Sequence, residues 1–480
     1  MIKKYGMTFP DNTAAVSIEL MAYSRSIIEN GDPEVRASHM LRCMELLWPV
    51  RTFRINEWTE RRVKAFCAIP FYTMWGPSSA GKAQPVDAVV YTPDGIRKMG
   101  DLRKGDRVIA QDGKTTEVLK VHIRGFHKSY RIAFSDGAST ECSGDHLWEV
   151  TNTCNKWRRN KVVETERLMK IYRKGTNQSN RFFIPMCDPV YFRERHIDMN
   201  PYLLGALIGD GCFGGSSGKG SLRFSCGSSQ LLELVKKRVS VDYEVARVQP
   251  MDYRIVKKNR KNSGKNIYIQ SLKKYGLWGH RSEDKFIPKD YLFNSVEIRK
   301  EILSGLMDTD GFASKSGAIV FSSVSEQLAK DVVFLVQSLG GVGRISFKKP
   351  WRKDKHGEKI GGLLCYNIHI RLPDEHSIFK IDLKASRIKV RKKNLNRFIS
   401  DISYVGTKEM RCITIDHPRG LYLTDNFICT HNSTDVAAIV LVHWLAAPHS
   451  TTCTICSTTR PMLIQRIFGE VIRLYLALEN

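Results

Sequence analysis

Acidic side chains are scarce in this sequence: 49 Asp and Glu stand against 75 Lys and Arg among 480 residues, a formal charge of +26. That imbalance favours a polyanionic partner, most simply nucleic acid. No apolar run is long enough to span a bilayer. The longest, from Val436 to Ala447, is broken by His443 and suits a buried helix, so no membrane partner is expected. A secretory signal is also missing, and the twelve cysteines are scattered instead of framed, which points to reduced thiols in a cytoplasm. Cys453 and Cys456 form a lone CxxC on a strand pattern that sends the two side chains to opposite faces, a packing arrangement rather than a redox or zinc site. With 42% apolar and 26% charged residues the chain is neither disordered nor fibrous, and its length allows two to four domains.

One more thing is missing, a single hydroxyl. Gly76-Pro77-Ser78-Ser79-Ala80-Gly81-Lys82 follows a strand pattern at 71–75 and reads GxxxxGK, but the Ser or Thr that should come next for Mg²⁺ is Ala83. The hydroxyl appears downstream, where His431 and Asn432 precede Ser433, Thr434 and an apolar helix pattern. Joining Lys82 to Ser433 restores GPSSAGKST. Gly76, Gly81, Lys82 and Ser433 would then cradle ATP phosphates, and only then. The 350 residues from 83 to 432 therefore read as an insert that must leave before the host can bind nucleotide, as an intein does.

The insert opens in short strand patterns with turns at Thr92-Pro93-Asp94-Gly95, Gln111-Asp112-Gly113 and Ser135-Asp136-Gly137, and it returns to that texture from about Met410. Its two edges, Ala83 to Gly113 and Phe427-Ile428-Cys429-Thr430-His431-Asn432 before Ser433, resemble the start and end of a Hint (intein) domain. Inteins mostly begin with Cys or Ser, which Ala83 is not. Ser143-Gly144-Asp145-His146-Leu147-Trp148, Arg411-Cys412-Ile413 and Thr430 resemble the Trp, Cys, Thr set of class 3 inteins, which lack a nucleophilic first residue. The resemblance implies that Cys412 attacks the Lys82 carbonyl, a step suited to sulfur. His146 would distort or protonate the leaving Ala83 amide, and Trp148 and Thr430 would position the group. Ser433 would next take the acyl group, Asn432 would cyclise to release the insert, and His431 would protonate that leaving amine. An intein inactivated at Ala83, keeping only DNA binding and cleavage, is the alternative.

Between the edges lies a repeat. Leu203-Leu204-Gly205-Ala206-Leu207-Ile208-Gly209-Asp210-Gly211 and Leu303-Ser304-Gly305-Leu306-Met307-Asp308-Thr309-Asp310-Gly311 match at an interval of 100 residues. Their glycines strip one face of each helix so that two helices can meet closely, and Gly211 and Gly311 are expected as helix caps. Asp210 and Asp310 would then stand side by side as hard oxygen ligands for Mg²⁺. The pair resembles the motifs of a LAGLIDADG homing endonuclease, which implies double-stranded DNA as partner, Mg²⁺ as the nuclease cofactor and Lys285 as an active-site lysine. Basic blocks at 254–265, 344–359 with Trp351, and 387–397 would supply phosphate contacts.

The expected architecture is multidomain: an all-β Hint domain at 83–190 and 399–432, interrupted by an α+β endonuclease at 195–398. It is flanked at 1–82 and 433–480 by two pieces of a split α/β P-loop ATPase. Those flanks resemble the large terminase subunit of a phage, with a replicative helicase as alternative. No acidic strand end follows before Asn480, so joined flanks alone are not expected to turn over ATP. Packaging partners would belong to a full-length host, and a bacterial cytoplasm is the expected location.

Overall fold

The computed structural model describes residues 83–431 other than 153–160, 174–181, 215–219, 260–264, 354–358, 390–394 and 418–419, together with 22–23, 26–27, 29–47, 63–64 and 67. Gly76, Gly81, Lys82, Asn432, Ser433 and the Cys453/Cys456 pair lie outside the described residues. Before the insert a helix covers Pro33–Leu47.

Two long antiparallel strands, Thr115–Phe134 and Arg397–Ile415, form the spine of the β unit. They pair from Ile399 opposite Phe134 to Ile415 opposite Val118, with irregularities that let so long a ribbon twist. One strand comes from each side of the central segment, so this ribbon stitches the two distant β pieces into one body. It sits in an eight-stranded sheet with Arg107–Ile109, Phe182–Ile184, Leu147–Asn152 and Lys161–Glu164 on the main path, and with Gln84–Pro85 and Ser139–Ser143 pairing the spine strands. A four-stranded sheet orders Ile428–His431, Leu421–Thr424, Val89–Thr92 and Gly95–Lys98. The last two form the expected hairpin over Pro93 and Asp94, where Gly95 takes the positive φ of +132°. Alternating residues of both sheets fill the interior, with Trp148 fully buried against Phe134, Ile132 and Ile399.

The central segment is built twice. Helix Pro201–Asp210 runs straight into strand Gly211–Phe213, and helix Val296–Asp310 into Gly311–Ala313. Each strand edges a four-stranded antiparallel sheet of the same order: 211–213, 222–225, 252–257, 243–249 in one half and 311–313, 319–323, 365–371, 342–348 in the other. Gly211 and Gly311 end the two helices as expected, each with its backbone N–H on the carbonyl four residues back. Both are extended, at φ −83° and −82°, so neither is a left-handed cap. Glycine is required because a Cβ would lie 2.1 Å from the Leu207 carbonyl oxygen at one position and 2.4 Å from that of Met307 at the other.

The halves share one core, and it continues into the β unit. Tyr91 stacks on Phe427 at 3.9 Å between centroids, and Phe334 of helix Glu326–Ser338 packs edge-on to Phe427 at 5.1 Å. Buried Arg299 donates to the carbonyls of Asn294 at 3.0 Å, Ser338 at 2.9 Å and, from the β side, Val190. The nuclease-like segment is therefore packed onto the β unit, not tethered to it.

Candidate functional site

At the upstream edge, Gln84 pairs with Arg411 and Pro85 with Met410. Continuing that antiparallel register sets Ala83 across from Cys412, and both are buried. The Ala83 carbonyl accepts from Ser143 N at 2.9 Å, and the Ser143 carbonyl from His146 N at 3.1 Å. His146 Nε2 lies 2.5 Å from Thr430 Oγ1, and its ring is 5.0 Å from that of Trp148. Residues 83, 143, 146, 148, 412 and 430, drawn from both ends of the insert, thus meet in one water-poor interior.

Two members of this cluster were not read from the sequence. Thr165, fully buried at the start of helix Thr165–Arg173, accepts from Trp148 Nε1 at 3.0 Å and donates to the His146 carbonyl at 3.1 Å. Gln84, also fully buried, donates to Thr140 Oγ1 at 3.2 Å and Thr424 Oγ1 at 3.1 Å and accepts from the Tyr422 hydroxyl at 3.0 Å. It pins the residue after Ala83 to strands from both β pieces. Neither carries a spacing or motif that marks it. Cys142, beside Thr165 at 3.3 Å, is a poor nucleophile, because burial pushes its thiol up to about 12.

The second centre lies where the motif helices meet. A Cβ on Gly205 would stand 2.2 Å from the Ile302 carbonyl oxygen, and one on Gly305 the same distance from that of Tyr202. The backbones touch, which carries Asp210 and Asp310 to the same end of the pair. Lys285 Nζ donates to the carbonyls of Ile208 (2.7 Å), Gly209 (3.1 Å) and Gly211 (2.8 Å). Lys384 Nζ does the same in the other half, to Met307 (3.0 Å), Asp308 (2.7 Å) and Thr309 (3.0 Å). Each ammonium spends its three donors on backbone carbonyls at a helix end, where the helix dipole also favours a cation. Sequence reasoning named Lys285 and missed Lys384, although the 100-residue interval applied to Lys285 lands one position away.

Burial dominates the electrostatics. It pushes Asp310 up to about 6, with the Asp210 charge adding and the two lysines opposing. Asp210 is also raised by burial, against the pull of Lys285 and Lys384. Lys285 is drawn down to about 8 by burial, against the attraction of both carboxylates. Asp308 is a brace instead, since its carboxylate accepts from Tyr202 at 2.6 Å and from the backbone of Lys380 and Ile381. Among the described residues no cluster of three or more His, Cys, Asp or Glu forms a metal cage. Two carboxylates fit Mg²⁺, which keeps most of its waters and takes further oxygens from phosphate.

Across the two sheets, registers line up rows that reach from the motif strands outward: Cys212, Arg223, Arg254 and Ala246 in one, Phe312, Val320, His369 and Arg344 in the other. Residues 254–257, 344–348 and 351–353 of the expected basic blocks lie on strands. Arg397 does not belong with them. It is buried, with Nε 2.9 Å from Asp136 Oδ2, because it opens a spine strand of the β unit.

A family model described as LAGLIDADG-like domain matches residues 297–403. Over these residues the chain is similar to that family. The chain is 25% identical over 378 residues to a replicative DNA helicase DnaB from Mycobacterium intracellulare, covering 74% of this chain and 59% of that protein. It thus spans less than two thirds of that relative's length. Among solved structures, a variant of the gp41-1 intein aligns at 28% identity over 18% of this chain and 61% of its own, with a TM-score of 0.16. The MchDnaB-1 intein aligns at 24% over 18% and 59%, with a TM-score of 0.15. A variant of the homing endonuclease I-DmoI, in complex with its target DNA in the presence of Mg, aligns at 16% over 38% and 92%, with a TM-score of 0.24.

Proposed function

We propose that residues 83–432 form a self-splicing intein of the class 3 type that also carries a DNA endonuclease. One observation carries the splicing half: the strand register that sets Ala83 across from Cys412, with His146, Trp148 and Thr430 in the same interior. The scissile carbonyl, that of Lys82, is one peptide bond from Ala83. Cys412 Sγ attacks this carbonyl, the C–N bond to Ala83 breaks, and His146 delivers the proton to the departing nitrogen. Residues 1–82 then hang on Cys412 as a thioester. Ser433 Oγ displaces the sulfur, Asn432 cyclises with His431 as the acid, and an ester-to-amide shift joins Lys82 to Ser433.

The nuclease half rests on the LAGLIDADG-like domain together with the Asp210/Asp310 pair. These carboxylates would hold Mg²⁺, whose chemistry is to stabilise charge on the scissile phosphates of double-stranded DNA. Lys285 and Lys384 hold the helix ends that present the carboxylates, and the two sheets offer arginines to the DNA backbone. For the host, the phosphate loop restored at Lys82 and Ser433 supports a P-loop ATPase in a bacterial cytoplasm, with a phage terminase as the first reading and a replicative helicase as the second. The DnaB relative favours the second only in part. An alignment over 74% of the chain is far larger than the 130 flanking residues and runs mostly through the insert.

A chain tagged at both ends and read by intact mass tests the proposal. The parent gives excised insert and joined flanks, Cys412→Ala gives neither and no branched species, and Asp210→Asn splices normally while losing plasmid cleavage. An unprocessed parent sinks the splicing reading and leaves the inactivated intein with its nuclease.

A further inference from the structure

The short strand Ile428–His431 carries Thr430 and His431 up to the downstream junction, and its phase is set by a three-residue turn. Strand Leu421–Thr424 pairs with it from Thr424 opposite Ile428 to Leu421 opposite His431, which leaves residues 425–427 to close the hairpin. Two consecutive residues of that turn are left-handed, Asn426 at φ 54° and Phe427 at φ 55°. Asparagine adopts this conformation readily, but for a residue as bulky as Phe427 it is an outlier that surrounding structure must hold.

Groups from three directions hold it. Arg397 Nη1 donates to the Asn426 carbonyl at 2.9 Å while its Nε is locked on Asp136, in a pair whose side chains are 2% and 0% exposed. Asn426 Nδ2 reaches the Ser139 carbonyl at 3.2 Å. Asp425 is fixed by Val89 N at 2.9 Å and Thr140 Oγ1 at 2.7 Å. The Phe427 ring lies flat on Tyr91, and the edge contact comes from Phe334, a residue of the nuclease segment. In a hairpin, turn length and conformation fix the register, and a slip of one residue moves every side chain of the strand to the other face. Here such a slip takes Thr430 away from His146.

We infer that the turn at 425–427, clamped by the buried Arg397–Asp136 pair and by Phe334 of the nuclease segment, is a positioning device that holds Thr430 on His146 for the transfer to Cys412. Arg397 and Phe334 are positioning residues in this account, which rests on the splicing reading above. It makes the early step, in which His146 gives its proton to the Ala83 nitrogen, depend on a side chain of the nuclease segment.

Time courses of the full tagged chain follow branch formation by mass. Arg397→Lys keeps the charge but cannot serve both Asp136 and Asn426. It is expected to form the branched species roughly tenfold more slowly than the parent or worse. Phe334→Ala, in another part of the fold, should show the same delay in branch formation and covers the case in which Arg397→Lys does not fold. Phe334→Tyr, which keeps the ring, should run at the parental rate. Parental rates of branch formation in folded Arg397→Lys and Phe334→Ala overturn the inference while leaving splicing intact. Absence of branched species from the parent overturns the splicing reading and this inference together.

Discussion

The two chemical centres are assembled in opposite ways. The nuclease centre is made by duplication: one helix-strand unit written twice, each copy ending in an aspartate, each end held by a lysine on three carbonyls. The splicing centre is made by convergence, from single residues at 83, 143, 146, 148, 165, 412 and 430 that share no repeat and meet only because the long ribbon joins both ends of the insert. A duplicated site depends on how closely its two copies approach. A convergent site depends on register.

Glycine substitutions should break the comparison most sharply. At Gly305 a new Cβ meets the Tyr202 carbonyl oxygen at 2.2 Å, backbone that cannot step aside. Gly305→Leu is expected to cost about 3 kcal/mol or more in thermal or urea unfolding and to abolish DNA cleavage. At Gly144, beside the splicing cluster, a Cβ meets the Glu166 carboxylate at 2.5 Å, the far end of a flexible side chain. Gly144→Ala should cost under about 1 kcal/mol. Similar costs at the two positions would refute the contrast between close approach and register.

The lysines test how far the duplication reaches. Lys285→Met and Lys384→Met should each slow plasmid cleavage roughly 10- to 100-fold and by matching factors, because each removes the cation from one helix end. A loss confined to Lys285→Met would mean that Lys384 only completes the fold.

This contrast also explains why one centre is easier to read from sequence than the other. The duplicated centre is legible because repetition is visible in one sequence: two Asp-Gly endings 100 residues apart place Asp210 and Asp310 without a structure. What stays hidden there is the reason for Gly211 and Gly311, which turns on a contact across the helix end. The convergent centre is legible only at its edges, through the interrupted phosphate loop and the residues of the resembled motif. Thr165 and Gln84 are ordinary polar residues in sequence, and their value appears only when burial leaves each with a complete set of partners. Arg397 sits in a run of lysines and arginines and looks like surface, yet one buried aspartate 261 residues away decides its place.

The smallest expected effect separates the centres by pH. Asp310 has its folded pKa pushed up to about 6 by burial and by Asp210, above the ordinary value near 3.9 of an unfolded chain. Stability from its bound proton is fully present below about pH 4 and is lost as pH rises through about 6, so at pH 7 an ionised Asp310 works against folding. In metal-free buffer, Asp310→Asn should therefore stabilise the chain at pH 7, by well under the full shift because the residue is exposed and solvent screens its charge, with the gain vanishing toward pH 4, as thermal melts at the two pH values can check. Gln84→Met is the matching change in the splicing centre. It removes a buried polar group that cannot titrate, leaves Thr140, Thr424 and Tyr422 short of a partner, and should destabilise by about 1 kcal/mol at both pH values alike. A nuclease centre that is stabilised by losing its charge is one whose carboxylates are kept for a cation, whereas Gln84 sits in hydrogen bonds between neutral groups whose strength does not change with pH.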